Sequence, residues 1–431
     1  MTVTYDPTHP AYFDDADLRD ELTRVYDLCH GCRLCWNLCP SFPTLFDYID
    51  EHDGKVHEMT RAEQDQVVDE CYQCKLCYVK CPYIPPHEWE LDFPRLMLRA
   101  AAVKKRTAPV RVRVTDNALG RTDLAGLAGV VAAPVMNKMM AAPNSAPRKL
   151  MEKVTGIAAD RVLPPYARQR FTSWFRKRVK PRLTGQQGKV SVFPTCLVEY
   201  QATGVGKATV QVYERNGIEC SVADGLKCCG APFLHEGDFD NFRKYAAKNV
   251  RILADEVRAG RDIVVPQPTC GYVLKHDYVD HLGDGDDTRL VKEHTYDVAE
   301  YLMRVHKAPG TELDTNFTGS IPESITYHVP CHLQAQNIGL KSRDLMKLTG
   351  TKVQLANQCS GIDGMWGYRA ENQELQQRVI QPLVRTIETQ DAPVVVGDCH
   401  LANGGINDAT GRQPIHPMQL VARAYGIEDV D

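Results

Sequence analysis

Short apolar runs recur along the second half of the chain, and a cysteine follows each of them. Four runs rich in Val and Ile occupy positions 189–193, 262–265, 325–329 and 392–396. Runs of this length predict buried β-strands, and the longer segments that follow two of them, as far as Asn216 and Gly350, predict helices. We therefore predict an α/β structure beyond about residue 186.

The pattern of strands and cysteines occurs twice in this half. Alignment of the two copies pairs Cys196 with Cys331, Cys229 with Cys359 and Cys270 with Cys399, at offsets between 129 and 135 residues. A similar offset at three positions indicates an internal duplication. The two predicted repeats span 186–310 and 320–431, and their cysteines lie where strands give way to loops, which is where α/β sheets build binding sites.

The first half of the chain has helical patterns. Residues 1–102 carry two cysteine runs with short helical pieces between them, and 89–102 predicts a helix that leads out of this module. Residues 103–185 contain helix-like segments at 148–156 and 166–180, which prolines interrupt. The predicted fold class is therefore an α-helical N-terminal module, a basic helical connector and two repeated α/β domains.

Composition places the chain among ordinary soluble proteins. Its 431 residues are 43% hydrophobic and 25% charged, the net charge is −4, and the first 21 residues have no signal-peptide pattern. Sixteen Cys, bunched at short spacings, favour metal ligation in a reducing compartment over a disulfide framework. We expect a cytoplasmic protein of two or three domains.

Charge is unevenly distributed along the chain. Residues 95–182 contain 20 Lys or Arg against four Asp or Glu, which is typical of a surface that docks an acidic partner, a membrane or nucleic acid. Basic and aromatic residues are not interleaved there, so no nucleic acid is expected. The apolar stretch 124–136 is too short to span a bilayer. Peripheral contact with the inner face of a membrane, or with a quinone, through residues 103–182 stays open.

Two cysteine runs of identical spacing mark the N-terminal module. Each follows the pattern Cys-x2-Cys-x2-Cys-x3-Cys-Pro, first at Cys29, Cys32, Cys35 and Cys39 and then at Cys71, Cys74, Cys77 and Cys81. In this spacing three thiolates wrap around one 4Fe-4S cluster and the fourth serves the other cluster. We predict one cluster on Cys29, Cys32, Cys35 and Cys81, and a second on Cys71, Cys74, Cys77 and Cys39.

Zinc is the alternative metal for these runs, although zinc sites use two Cys-x2-Cys pairs separated by a longer gap. The insert 41–70 between the runs is predicted to pack helices against the module. Three aromatic residues lie beside the cysteines, namely Trp36, Tyr72 and Tyr78. We interpret them as packing that keeps water away from the clusters, and an electron conduit is the alternative.

The first repeat supplies four cysteines that could hold a further cluster, namely Cys196, Cys228, Cys229 and Cys270. Gly230 follows the adjacent pair and permits a bent backbone, so that both thiolates can reach one cluster. A further iron–sulfur cluster is the favoured interpretation, while a vicinal disulfide or simply packed thiols stay open. Cys220 has no counterpart in the other repeat and is predicted to be a packed thiol.

The second repeat has three cysteines, namely Cys331, Cys359 and Cys399. Gln358 stands where Cys228 would align. Three thiolates could hold a cluster with one open iron or with a histidine ligand, for which the candidates are His328, His332 and His400. The alternative is that this repeat has lost its cluster. The glycine-rich segment 360–368 could bring backbone amides toward sulfur, although that signal is weak by itself.

The order of these features resembles the iron–sulfur oxidoreductases related to heterodisulfide reductase, among them the family of the C subunit of anaerobic glycerol-3-phosphate dehydrogenase. The resemblance covers nearly the whole chain, including the Cys228-Cys229-Gly230 motif. It implies cysteine-rich α/β "CCG" domains, a partner protein, and electron passage between a flavoprotein dehydrogenase or thiol substrate and a quinone or other carrier. Heterodisulfide reductase has five cysteines in each such domain, but Val273 and Ala402 occupy the last places here, so heterodisulfide cleavage is not implied.

Two hypotheses for function follow. In the first, the chain relays electrons from a partner through the N-terminal clusters to the cluster of the first repeat and on to a carrier. In the second, the chain is itself an iron–sulfur reductase, which acts at the second repeat on a disulfide, a peroxide or a small organic acid.

Overall fold

Helices form the N-terminal part of the chain, and the strands begin at residue 189, in a computed structural model that describes residues 5–183, 185–362, 364–428 and 430. The N-terminal module contains α1 (Asp15–Cys32), α2 (Ser41–Glu51), α3 (Arg61–Asp69), α4 (Leu76–Lys80) and α5 (Phe93–Thr107). Apolar faces of α1, α2 and α5 meet in one core around Leu22, Phe42 and Leu96. The insert between the cysteine runs forms α2 and α3, as predicted.

Helix ends in the module follow local capping chemistry. The Asp14 side chain accepts a hydrogen bond from the Asp17 N–H at the start of α1, and Thr60 and Glu63 form a capping box at the start of α3. The exit helix α5 begins at Phe93, four residues after the predicted start, because Asp92 caps it and Pro94 occupies its first turn.

The connector forms five further helices, which are α6 (Val110–Gly120), α7 (Thr122–Val131), α8 (Ala133–Met140), α9 (Ala146–Thr155) and α10 (Phe171–Lys177). The last of these is shorter than the predicted segment 166–180. Among the described residues, no helix has the length and apolar character needed to cross a membrane.

The first repeat is built on a parallel sheet of four strands in the order β2-β1-β3-β4. Its elements are β1 (Lys189–Val192), α11 (Cys196–Tyr200), α12 (Thr203–Arg215), β2 (Glu219–Ser221), α13 (Ala231–His235), α14 (Phe239–Arg258), β3 (Asp262–Val265), α15 (Pro268–Tyr272), a π-helical turn (Val273–Asp277), α16 (Tyr278–Leu282), α17 (Asp286–Glu293), β4 (Thr295–Asp297) and α18 (Val298–Lys307).

The second repeat has a parallel sheet of three strands in the order β6-β5-β7. Its elements are β5 (Ser324–His328), α19 (Cys331–Ala335), α20 (Lys341–Lys347), β6 (Lys352–Ala356), α21 (Gln373–Gln390), β7 (Val394–Gly397), α22 (His400–Thr410) and α23 (Pro417–Ala424). All four predicted strands are present, each within two residues of its predicted start.

Both sheets reverse their strand order at one place, which is between β1 and β3 in the first repeat and between β5 and β7 in the second. Loops that leave the carboxyl ends of two such strands diverge to opposite sides and open a crevice for ligands. The two repeats also share one hydrophobic core, which runs from Val190 and Tyr213 to Tyr327 and Met418. The duplicated crevices are therefore held in fixed relation to each other.

The exit helix α5 also packs on the first repeat, where Leu98 and Ala102 join the core around Phe239. Gly237 permits this approach, because its φ is +73° and a Cβ there would lie 2.6 Å from Ala102 Cα. The N-terminal module is therefore docked on the first repeat by more than the connector.

Replacing Gly237 with Ala should lower the thermal unfolding midpoint more than replacing Gly260 with Ala. Both glycines have left-handed backbone, at φ +73° and +79°, so an added Cβ costs about 1–2 kcal/mol at either position. At Gly260 no atom lies within 4 Å of that Cβ, whereas at Gly237 the clash with α5 should add about 1–3 kcal/mol. Circular dichroism measures both unfolding midpoints. Equal decreases of the midpoint in the two variants would contradict the docking of α5 on the first repeat.

Candidate metal centres

The cysteines of the N-terminal module line two cavities in crossed sets. One cavity is lined by Cys29, Cys32, Cys35 and Cys81, and the other by Cys39, Cys71, Cys74 and Cys77. Each set thus takes three thiols from one run and the fourth from the other. This is the arrangement predicted for two 4Fe-4S clusters, and four thiols are the donor set that such a cluster requires.

The two runs also share an unusual backbone conformation. Arg33 has φ +51° and Lys75 has φ +64°, and each directly follows the second cysteine of its run. Residues other than Gly rarely adopt the left-handed region, so its occurrence at both equivalent positions reflects the tight turn by which three thiols surround one cavity.

Because these thiols are buried, their deprotonated forms are unfavourable unless a positive charge lies beside them. Burial raises the pKa of Cys29, Cys39 and Cys77, and neighbouring thiols raise it further. A coordinated metal favours the thiolate strongly enough to overcome such a shift. Lys75 is itself buried beside the second set, where its ammonium donates to Gln73 Oε1 over 2.8 Å. Both sets therefore fit a positively charged iron–sulfur core.

The first repeat gathers its four cysteines around the crevice between β1 and β3. Cys196 begins α11 after β1, and Cys270 lies in α15 after β3. Cys228, Cys229 and Cys270 pack in one buried cluster with Cys196 against it, and the four thiols line one cavity. The π-helical turn that follows Cys270 is a distortion often found at functional sites.

Gly230 has the role predicted for it. Its φ is +93°, and a Cβ would lie 2.7 Å from the Phe242 ring, so only glycine allows the adjacent cysteines to turn toward the crevice. Cys220 lies on strand β2 in the hydrophobic core, apart from the four crevice thiols, as predicted for a packed thiol.

The second repeat brings Cys331, Cys359 and Cys399 to one enclosed cavity of about 20 Å³. The loop after β6 directs the Gly361 N–H to Cys359 Sγ at 3.2 Å, as the glycine-rich segment predicts, although residue 363 of that segment lies outside the described part of the chain. Donation by the Cys331 thiol, the Tyr72 hydroxyl and this N–H lowers the pKa of Cys359 to about 7. Stabilisation of a thiolate suits a metal ligand.

The three candidate histidines differ in their surroundings. His332 donates from Nε2 to the Gln73 carbonyl at 3.0 Å, and its Nδ1 lies 3.0 Å from Thr269 Oγ1, so both ring nitrogens are engaged. His328 also lines the cavity and donates from Nε2 to the Gln358 carbonyl, while its Nδ1 has no hydrogen-bond partner among the described residues. Burial lowers the pKa of His328 to about 4, which keeps it neutral as a ligand must be. His400 does not line this cavity.

The second repeat adjoins the second thiol set of the module. Cys331 and Cys359 pack against the cluster that contains Tyr72 and Cys74, and the Tyr72 hydroxyl lies 3.1 Å from Cys359 Sγ. The Trp366 indole N–H donates to the Asp69 carbonyl at 2.8 Å and its ring packs on Tyr72. Tyr72 therefore joins two thiol sets, a role beyond the packing predicted for it.

A second junction connects the two repeats. The Gln267 amide donates to Cys399 Sγ at 3.2 Å, and its Oε1 accepts from the His400 N–H. Gln267 also lines the cavity of the first repeat, and Thr269 lines the cavities of both repeats. The second repeat thus contacts both the second thiol set of the module and the first repeat. Proximity to Cys270 is the only sequence signal that distinguishes Gln267 and Thr269.

Comparison with known proteins agrees with this organisation. A 4Fe-4S dicluster domain matches residues 21–82, and a cysteine-rich domain of the CCG type matches twice, at 190–275 and 325–401. The chain therefore contains one 4Fe-4S dicluster domain and two cysteine-rich domains of the CCG type.

Individual relatives extend the similarity to most of the chain. The C subunit of anaerobic glycerol-3-phosphate dehydrogenase of Escherichia coli is 29% identical over 335 residues, covering 76% of this chain and 81% of the relative. Lactate utilization protein A of Bacillus licheniformis is 26% identical over 54% of this chain and 97% of the relative. The B subunit of fumarate reductase (CoM/CoB) of Methanothermobacter marburgensis is 24% identical over 54% of this chain and 44% of the relative. The chain is homologous to iron–sulfur subunits of dehydrogenases and reductases.

Serine substitutions can test the crossed thiol sets. Loss of Cys35 or of Cys81 should each remove the same cluster, about four irons, and leave the same electron paramagnetic resonance spectrum from the remaining clusters. Loss of Cys39 should instead give the spectrum obtained by loss of Cys71. Cys220→Ser is the matched control and should retain all iron. Identical spectra from Cys35→Ser and Cys39→Ser would contradict the crossing.

Proposed function

We propose that this chain is the electron-relay subunit of an oxidoreductase complex, connecting a partner dehydrogenase to a quinone or another redox carrier. The contacts that join the thiol sets support this proposal, because Tyr72 reaches Cys359 and Gln267 reaches Cys399. In the proposed route, electrons enter at the N-terminal module, pass through the second repeat and reach the first repeat. The hypothesis drawn from the sequence connects the module directly to the first repeat, and the proposed route adds the second repeat between them.

The proposed ligand sets follow the cavities. Two 4Fe-4S clusters are assigned to the crossed sets of the module, and a further iron–sulfur cluster to the four thiols of the first repeat. For the second repeat we propose a cluster held by its three cysteines and by His328, whose Nδ1 is the one ring nitrogen of the cavity's two histidines without a partner among the described residues. Iron–sulfur clusters supply one-electron transfer, and the protein contributes burial and hydrogen bonds to sulfur, such as those to Cys359 and Cys399.

The partner is inferred from the relatives. The glycerol-3-phosphate dehydrogenase and fumarate reductase relatives are by name subunits of larger enzymes. By analogy we expect this chain to associate with a dehydrogenase protein that carries a flavin, since a flavin takes two electrons from a substrate and releases them singly to clusters.

The alternative is that the chain itself reduces a disulfide, a peroxide or a small organic acid at the second repeat. Tyr72 of the module and His332 line its cavity beside the three thiols, so side chains already surround that thiol set. The second repeat is better suited to pass electrons than to bind such a substrate.

Replacing Cys399 with Ser should interrupt the relay between the module and the first repeat. When the holoprotein is mixed anaerobically with a reduced ferredoxin, the module clusters should be reduced at the normal rate, while the first-repeat cluster should stay oxidised for much longer. A ferredoxin is chosen because it is too large to reach the buried Cys228, Cys229 and Cys270 directly.

Rapid-freeze electron paramagnetic resonance measures this difference, and Cys220→Ser provides the matched control. Reduction of the first-repeat cluster at the wild-type rate in Cys399→Ser would show that the second repeat is not on the route.

The connector is proposed to rest on the inner face of a membrane. Its helices expose large apolar side chains to an unusual extent, including Val110 at 65%, Val131 at 79% and Val135 at 62%. Basic residues such as Arg111 and Lys138 are accessible among them. Apolar side chains together with basic charge favour the interface of an anionic bilayer.

Flotation with phosphatidylglycerol vesicles tests this contact. Since a buried Val side chain contributes about 1.5 kcal/mol or more, Val131→Asp and Val135→Asp should each reduce vesicle binding about tenfold. Ile321→Asp, which alters an exposed apolar residue outside the connector, should not. Binding should also weaken at high salt and with neutral phosphatidylcholine. Equal binding by all variants would contradict the proposed face.

A further inference from the structure

The cavity lined by the four thiols of the first repeat is larger than that of the second repeat. Its volume is about 260 Å³, and its lining comes from connector helices α6 to α8, the segment 157–166, the first repeat and the second repeat. Besides the thiols, the lining includes the apolar side chains of Leu119, Met140, Ile157 and Leu163. A molecule in this cavity would therefore lie close to both apolar side chains and the thiol set of the first repeat.

The cavity has no charged side chain among its described lining residues. A neighbouring cavity of about 630 Å³ differs in this respect, because Lys104, Lys105 and Arg369 line it. Organic acids and phosphates need cationic partners when they leave water. The chemistry of the smaller cavity thus favours an uncharged, largely apolar molecule.

Three residues that line this cavity have a buried polar atom without a partner. Thr122 Oγ1, His235 Nε2 and the Tyr368 hydroxyl make no hydrogen bond within the described part of the chain. A buried donor without an acceptor is unfavourable and is rare in native proteins, so such atoms call for an explanation. A ligand that offers two separate acceptor oxygens would satisfy His235 and Tyr368.

Aromatic walls narrow the cavity. Tyr200 and Tyr166 both line it, and each packs against a glycine of α7. A Cβ at Gly126 would lie 2.2 Å from the Tyr200 ring, and a Cβ at Gly129 would lie 2.3 Å from the Tyr166 ring. Aromatic side chains held this closely suit a flat ring, which they contact over a large area.

We propose that this cavity binds the ring of a membrane quinone, with His235 and Tyr368 donating hydrogen bonds to its two carbonyl oxygens. The inference rests on the proposed relay, which supplies the electrons. In the reduction, two electrons arrive one at a time from the first-repeat thiol set, and two protons are taken from solvent. Both C=O groups become C–OH groups, and two reduced iron–sulfur centres each lose one electron.

Access to the cavity agrees with an approach from a membrane. Thr122, Ala125 and Gly126 on α7 line the cavity, while Leu124 and Leu127 on the same helix are exposed at 54% and 44%. A largely apolar helix that packs on the protein along only one side is expected to contact a second apolar surface along the other side. The connector would then guide the quinone from the bilayer to the thiols.

Binding to the anaerobic holoprotein is measured first, by equilibrium dialysis with menadione and with a decyl-substituted benzoquinone. Removal of one hydrogen bond to a neutral acceptor should raise Kd about three- to tenfold in Tyr368→Phe and in His235→Leu, and more in the double variant. Tyr296→Phe, on strand β4 away from the cavity, is the control. The Tyr368 hydroxyl has no partner to lose among the described residues, so its removal should not lower the thermal unfolding midpoint.

A matched pair on helix α7 tests the mouth of the cavity. Ala125 and Ala128 are both exposed, but only Ala125 lines the cavity. Ala125→Phe should therefore raise KM for the decyl quinone and Ala128→Phe should not. Reduction of ferricyanide, a small hydrophilic acceptor, should stay normal in both variants, because the clusters are unchanged.

The outcomes separate this inference from the relay. If the wild type binds the quinone and its Kd is unchanged in Tyr368→Phe, His235→Leu and Ala125→Phe, the quinone does not bind in this cavity. Absence of quinone binding in the wild type would also overturn the inference, while normal ferricyanide reduction would preserve the relay. If reduced ferredoxin supported neither quinone nor ferricyanide reduction, the relay itself would fail. Raised Kd in the cavity variants with normal ferricyanide reduction would support both proposals.

Discussion

Burial of thiol groups sets the electrostatic constraint on which this protein depends. A thiolate is unstable in a dry interior unless positive charge lies beside it, and the pKa of Cys29, Cys39 and Cys77 is raised for that reason. An iron–sulfur core removes the penalty only if the thiols are already gathered around one space. The fold therefore has to bring together cysteines that are distant in the chain, such as Cys35 and Cys81, before the metal can stabilise them.

Two sheets of similar topology bring such distant cysteines together, one in each repeat. Each parallel sheet opens a crevice where its strand order reverses, and each crevice receives cysteines from the two adjacent strands. Among the aligned crevice cysteines the repeats differ at one position, where Gln358 stands in place of the cysteine that Cys228 represents in the first copy. The altered crevice is the one that contacts the N-terminal module, and Tyr72 and His332 close it. Apolar residues of the connector line the complete crevice, so the two copies have different neighbours as well as different thiol sets.

The connector shows how one segment can serve two surfaces. Its helix α7 packs Gly126 and Gly129 closely against tyrosines on one side and leaves Leu127 and Val131 exposed on the other. In water the exposed side is unfavourable, and a bilayer interface would cover it. The same helix that encloses the cavity beside the first repeat is thus suited to bring that cavity to the membrane surface.

The elements of this protein and its candidate metal ligands could largely be predicted from the amino-acid sequence. The spacing within each cysteine run is local and typical of two-cluster modules, so it predicted the crossed sets although Cys35 and Cys81 are far apart in the chain. The bend at Gly230 was also predicted from its immediate neighbours. Strand periodicity and the repeated offset likewise predicted both α/β domains.

The contacts between the thiol sets, in contrast, are a property of the folded chain. The contacts of Tyr72 with Cys359 and of Gln267 with Cys399 join residues separated by 287 and 132 positions, and no local pattern records such pairs. The apolar cavity likewise depends on three regions that meet in space. Its unpaired His235 and Tyr368 look ordinary in sequence, because a lack of partners among the described residues is a property of the packed structure and not of any segment.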